Sequence, residues 1–166
     1  MLNSFSKYFG MTGWRVGWLV APEDAEPHLA KLAQNLYIAA STPAQHAALA
    51  AFLPETQAVL EARRAEFARR IAFLVPALEA LGFGVPARPA GAFYIYAEVS
   101  AFTADSFAFC AELLEQEGVA ITPGIDFGDQ DAQRYVRFAC TTGVARLEEA
   151  VQRIERFLRV RQAGAV

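Results

Sequence analysis

The stretch that decides the reading is Ser4-Phe5-Ser6-Lys7-Tyr8-Phe9-Gly10-Met11-Thr12-Gly13-Trp14-Arg15-Val16-Gly17. It gathers two hydroxyls, an amine and a guanidinium in one loop bounded by glycines, directly before the apolar run Val16 to Val20. These are the parts of an anion-binding, carbonyl-reactive site. A lysine amine condenses with a carbonyl only when unprotonated, which requires nearby positive charge or desolvation, and Arg15 supplies such a charge. The planar fork of Arg15 also suits bidentate binding of a phosphate, to which Ser4 adds a hydrogen bond. The bland alternative for the same residues is a solvated lysine and a surface arginine.

Outward from this loop, Val16 to Val20 reads as a buried strand that ends at Ala21-Pro22. Glu23, Asp24 and Glu26 lead into a helix reaching about Leu36, and Thr42 with Pro43 forms a cap and first-turn pair for a short helix to Phe52. From Glu55 to Leu81, apolar Leu60, Phe67, Ile71, Leu74, Leu78 and Leu81 recur mostly at three- and four-residue steps. The spacing predicts a long amphipathic helix stopped by Gly82, with Pro76 expected to kink it or release a backbone bond near Ala72.

Beyond Pro86 and Pro89, the aromatic stretch Ala92 to Val99 predicts a strand. A helix is expected over Ala104 to Gln116, capped by Thr103 and stopped by Gly118. Short strands follow at Val119 to Thr122 and Tyr135 to Cys140, and a last helix at Val144 to Val160 aligns Leu147, Val151, Ile154 and Leu158. The pattern is α/β, with an N-terminal portion too short to close its own core and a compact C-terminal unit.

The chain has 166 residues, 54% of them hydrophobic, which places it among folded globular chains. Fifteen basic and 18 acidic residues leave a net charge of −3, which argues against a nonspecific nucleic-acid binder or a polybasic membrane-surface protein. There is no apolar run of the ~18 residues that a membrane span needs and no signal-like start, so the expected location is cytoplasmic. Cys110 and Cys140 stand alone and read as buried small hydrophobes. Asp126-Phe127-Gly128 matches a kinase triplet without the rest of that signature. Asp126, Asp129 and Asp131 lack the glycine and the terminal glutamate of a calcium loop, so no metal site is expected. His28 and His46 read as surface or packing residues, and Trp14, Trp18 and Tyr37 as core.

The order Ser4-x-Ser6-Lys7 followed by Gly13-x-Arg15-x-Gly17 closely resembles the lysine segment of the fold-type I, class I/II aminotransferases, which use pyridoxal 5'-phosphate. The resemblance continues in Pro89-Ala90-Gly91-Ala92-Phe93-Tyr94, in Pro123-Gly124 with Phe127-Gly128, and in Tyr135-Val136-Arg137-Phe138-Ala139. It implies that Lys7 is the catalytic Schiff-base lysine and that Ser4 and Arg15 hold the cofactor phosphate. Arg137 would grip the substrate carboxylate; strand alternation by itself permits either face for its side chain. The resemblance further implies amino-acid and 2-oxo-acid substrates and a homodimer with sites shared between subunits.

By the same resemblance, residues 1–54 are the C-terminal end of a large cofactor-binding domain, 55–82 a linking helix and 83–166 a small α/β domain. The family's aspartate for the pyridine nitrogen, its ring-stacking aromatic and its glycine-rich phosphate turn all precede the lysine segment. The chain is therefore expected to cover roughly the C-terminal two-fifths of a family member and to be inactive alone. Two rival readings are a β- or γ-lyase on the same scaffold and a noncatalytic sensor or interaction module.

Overall fold

The computed structural model describes residues 1–164. The chain divides into two compact units, Met1–Arg64 and Ala65–Val166, each described here by itself.

In the first unit, strands β1 (Leu2–Ser4) and β2 (Gly17–Leu19) form an antiparallel ribbon with Ser4 opposite Gly17. Helices α1 (Glu26–Leu36) and α2 (Thr42–Ala50) follow, and α3 (Pro54–Ala80) begins in this unit. A small core collects Phe5, Met11, Ala48 and Ala51, with Phe9, Val16 and Ala47 against it. The expected buried strand is instead an exposed one: all three residues of β2 are exposed, and its strand partner among the described residues is the equally exposed β1. Trp14, Trp18 and Tyr37, expected in the core, are exposed: the four buried residues of this core come from the loop and from the C-terminal end of α2 with its cap Ala51, and no residue of α1 is buried. His28 and His46 are on the surface. The cap of α2 is Ser41; Thr42 is already helical, with Pro43 in the first turn.

The second unit contains β3 (Tyr94–Glu98), α4 (Ser106–Glu117), β4 (Thr122–Pro123), β5 (Tyr135–Ala139) and α5 (Val144–Gly164). Its sheet has the order β3-β5-β4 and is antiparallel throughout, with Tyr96 and Thr122 both opposite Arg137. Alternation places Ile95, Ala97, Val136 and Phe138 in the core, against Leu74 and Leu78 of α3, Phe109 and Leu113 of α4, and Ile154 and Phe157 of α5. Each of these side chains larger than alanine contributes roughly 1.5–3 kcal/mol of transfer free energy. Cys110 and Cys140 are buried, as expected of small apolar side chains.

Helix boundaries follow from capping chemistry. Gly82, at φ +99°, lets α3 close with a reversed turn in which Gly82 N donates to the Glu79 carbonyl and Phe83 N to that of Leu78. Phe83 is then driven into the core. Pro76 lies inside α3, which nonetheless runs on to Ala80. The N-cap of α4 is Asp105, whose carboxylate accepts from Phe107 N and Ala108 N at 2.9 and 3.1 Å. Thr103, expected as the cap, sits two residues back, and its hydroxyl accepts from Asp105 N at 3.0 Å. Gly118 ends α4 in the left-handed conformation. Strand β4 covers just Thr122 and Pro123: it starts three residues later than the expected Val119 to Thr122 and runs one residue further, to the 3-10 turn at Gly124.

Candidate functional site

The lysine loop is built between two buried anchors. Phe5 and Met11 are 5% and 7% exposed, and Met11 N donates to the Phe5 carbonyl at 3.1 Å, closing the loop at its base. Between them the chain must turn outward, and Gly10 N donates to the Lys7 carbonyl at 3.0 Å in a turn that puts Gly10 at φ +66°. A Cβ at Gly10 would also meet Arg63 Nη1 at 3.1 Å, so conformation and space both favour glycine there. Lys7 is thus carried at the exposed crest of a loop whose two feet are in the core.

The polar groups named with Lys7 lie in the same loop. Ser4 Oγ donates to Ser6 Oγ at 2.9 Å and accepts from Ser6 N at 3.1 Å. Thr12 Oγ1 donates to the Ser6 carbonyl at 2.7 Å. Arg15 adopts the left-handed conformation, φ 50°, and its Nη1 donates to the Thr12 carbonyl at 3.1 Å. Its guanidinium remains exposed. Ser4, Lys7 and Arg15 therefore all belong to the first unit and to one hydrogen-bonded loop. Hydroxyls and a planar cation suit a phosphate, and an amine suits an aldehyde, so this donor set fits pyridoxal phosphate.

Two features of the loop are invisible in the sequence pattern. Tyr8 Oη donates to Glu61 Oε1 of α3, and Arg64 Nε donates to the other carboxylate oxygen of Glu61 at 2.7 Å. The bond to Glu61 raises the Tyr8 phenol above its ordinary value, and the same bond, followed by that from Arg64, lowers the Glu61 carboxyl. Gly17 is the other: a Cβ there would meet the Asn3 carbonyl oxygen at 2.7 Å, so the ribbon closes around glycine alone. Gly13, by contrast, has open space around it.

Arg137 stands in the second unit, on the face of the sheet opposite the core. The structure settles the face that alternation left open. Two rings pack on its guanidinium, with Cζ 4.0 Å from the centroid of Tyr94 and 4.2 Å from that of Phe127. Its Nε is buried without a hydrogen-bond partner among the described residues. Around it, Tyr96 stacks on Tyr135 at 4.9 Å, and burial raises the Tyr96 phenol. Tyr94 and Phe127 are quoted in the sequence motifs, but their meeting over Arg137 depends on strand register and on the fold of the loop after Gly124.

The family model for aminotransferase class I and II matches residues 1–154. The chain belongs to the class I and II aminotransferases. That family depends on pyridoxal 5'-phosphate. Among its curated members, the chain is 42% identical over 158 residues to a valine–pyruvate aminotransferase of Mycobacterium tuberculosis, a match covering 95% of this chain and 41% of the relative. It is 35% identical to the (5-formylfuran-3-yl)methyl phosphate transaminase of Methanocaldococcus jannaschii, again covering 95% and 41%. Of solved structures, an aminotransferase from Mycobacterium tuberculosis superposes with a TM-score of 0.91 at 41% identity, over 96% of this chain and 41% of that one. An aromatic aminotransferase from Pyrococcus horikoshii superposes with a TM-score of 0.89 at 34% identity, over 97% and 43%. The chain spans about two-fifths of the length of these class I and II members. Among the described residues, no group of three or more His, Cys, Asp or Glu is placed to hold a metal, and no helix is long and apolar enough to cross a membrane.

Proposed function

We propose that this chain is the C-terminal segment of a pyridoxal-phosphate-dependent aminotransferase that moves an amino group from an amino acid to a 2-oxo acid. In this reading residues 1–54 end the large domain, 55–82 link, and 83–166 form the small domain of a cytoplasmic homodimer. The 166 residues alone do not suffice for turnover, since they correspond to about two-fifths of the relatives. The observation that carries the reading is the lysine loop: Lys7 exposed at its crest, with the paired hydroxyls of Ser4 and Ser6 and the guanidinium of Arg15 in the same loop.

Ser4 and Arg15 would hold the cofactor phosphate through charge-assisted hydrogen bonds, and Lys7 would hold the aldehyde carbon through Nζ. When bound, the cofactor supplies the aldehyde and the electron sink. With its Nζ free, Lys7 would accept the proton from the substrate α-carbon. Arg137 would bind the substrate by pairing with its α-carboxylate.

The test is to incubate the chain with pyridoxal phosphate, reduce with borohydride and locate the label by peptide mass spectrometry. Label concentrated on Lys7, and lost in Lys7→Ala, is the expected outcome. Label spread evenly over Lys7 and Lys31, or unchanged in Lys7→Ala, overturns the assignment of Lys7.

A further inference from the structure

The outer face of the small sheet is chemically odd. An outward strand face in water ordinarily carries scattered polar residues, but here Tyr94, Tyr96 and Tyr135 surround a single guanidinium, and Phe127 closes over it from the loop. Phe127 is 47% exposed, so core packing does not explain its position. Its place is set by backbone instead. Phe127 N donates to the Gly124 carbonyl at 2.9 Å, and Gly124 is pressed so closely on the start of β5 that a Cβ there would stand 2.8 Å from the Tyr135 carbonyl oxygen.

We propose that Tyr94 and Phe127 are positioning residues that clamp Arg137 on both faces, so that it receives a flat carboxylate edge-on and discriminates against a tetrahedral oxyanion. This rests on the proposed role of Arg137 toward the substrate carboxylate. With two rings packed on the guanidinium at 4.0 and 4.2 Å, the approach left open to a ligand is along the edge of its plane. Nε is buried, which leaves the edge formed by the two terminal nitrogens. A carboxylate places both oxygens in that plane and pairs bidentately. A phosphate that pairs with two oxygens must direct others out of the plane, toward ring faces whose quadrupoles are negative. The same rings stabilise the cation that they confine. The clamp thereby separates two anion tasks within one protein: hydroxyls and an open guanidinium at Ser4 and Arg15, and a ring-bounded slot at Arg137.

The experiment follows the Arg137 Nε–H resonance of the 166-residue chain by NMR during titration with sodium propionate and, at matched ionic strength, with inorganic phosphate. Propionate is expected to shift the resonance saturably and phosphate to leave it in place. Phe127→Leu is expected to weaken propionate binding by about three-fold and let phosphate in, whereas Phe127→Tyr restores the native response. A resonance broadened by rapid exchange in the native chain contradicts the clamp, because a buried, ring-flanked donor is shielded from water. If propionate binds Arg137 equally in native and Phe127→Leu chains, or phosphate binds the native chain as well as propionate does, the clamp alone is overturned. If propionate fails to reach Arg137 in any variant, the carboxylate role of Arg137 falls as well.

Discussion

Gly17 and Asn3 approach each other across the β1–β2 ribbon so closely that a Cβ on the glycine would stand 2.7 Å from the Asn3 carbonyl oxygen. That atom is backbone and cannot swing away. Gly17→Ala should therefore open the ribbon at about 1–3 kcal/mol of local cost, as overpacking does elsewhere. Amide exchange checks this at two bonds that close the ribbon, Val20 N to the Met1 carbonyl and Phe5 N to the Val16 carbonyl. Both should lose protection, while Leu113 in the second unit keeps its own.

The Tyr8–Glu61 bond should make the stability of the first unit depend on pH at both extremes. Glu61 titrates below its ordinary 4.5 in the folded chain, so its contribution is present above that value and is lost as pH falls through the lowered one. Tyr8 titrates above its ordinary 10.0, so its contribution is present below that value and is lost as pH rises through the raised one. Urea midpoints of the native chain should fall on both sides of this window. In Glu61→Gln the acid-side fall is expected to shrink, and the phenol of Tyr8, followed by ultraviolet absorbance, to titrate closer to 10.0.

The start of α4 offers two substitutions with opposite outcomes. Asp105→Ala removes a carboxylate that accepts from two helix-end amides and should cost about 1 kcal/mol. Next to it, the Ser106 hydroxyl is fully buried and has no hydrogen-bond partner among the described residues. Ser106→Ala removes a desolvated donor worth about 1–3 kcal/mol in lost solvation, so the variant should be at least as stable as the native chain. Chemical denaturation of the pair decides it; a Ser106→Ala chain markedly less stable than native would mean that the hydroxyl is satisfied in solution.

Neither thiol should react in the folded chain. Burial, helped by the negative charge of Asp126, pushes the Cys110 thiol up to about 12, and burial also raises that of Cys140. Because the thiolate is the nucleophile, a chromogenic thiol reagent at neutral pH should register both cysteines only after denaturant is added.

Gly124→Ala should act on Arg137 without touching it. The new methyl would crowd the Tyr135 carbonyl at 2.8 Å and the Tyr96 hydroxyl at 2.7 Å, so the loop that carries Phe127 must shift. The expected readout is loss of the ring-current shift on Arg137 Nε–H, with the core resonances of Ile95 and Val136 unchanged.

Much of this protein is legible in its sequence. Helical periodicity marks α3 and α5, because a buried face must recur with the turn of the helix, and the glycines at 82 and 118 mark the stops of α3 and α4 because few other residues tolerate the left-handed conformation. Caps were read one or two residues off: Thr42 for Ser41 and Thr103 for Asp105 are chemically equivalent choices, and only backbone dihedrals separate them. The lysine loop was legible as a set of residue types in order. Its anchoring by Phe5 and Met11, and the brace from Tyr8 to Glu61, join residues that nothing in their local pattern links.

What the sequence determined by itself is thus what short-range chemistry controls: the elements, their stops, the family, and which side chains are fit to bind anions. Tertiary structure alone decided exposure and pairing. Val16 to Val20 is apolar yet its strand is exposed, because burial depends on what lies across from a strand and not on its composition. Arg137 became a ring-bounded cation in the same way, since antiparallel register and a loop jammed at Gly124 bring Tyr94 and Phe127 onto its guanidinium from distant points in the chain.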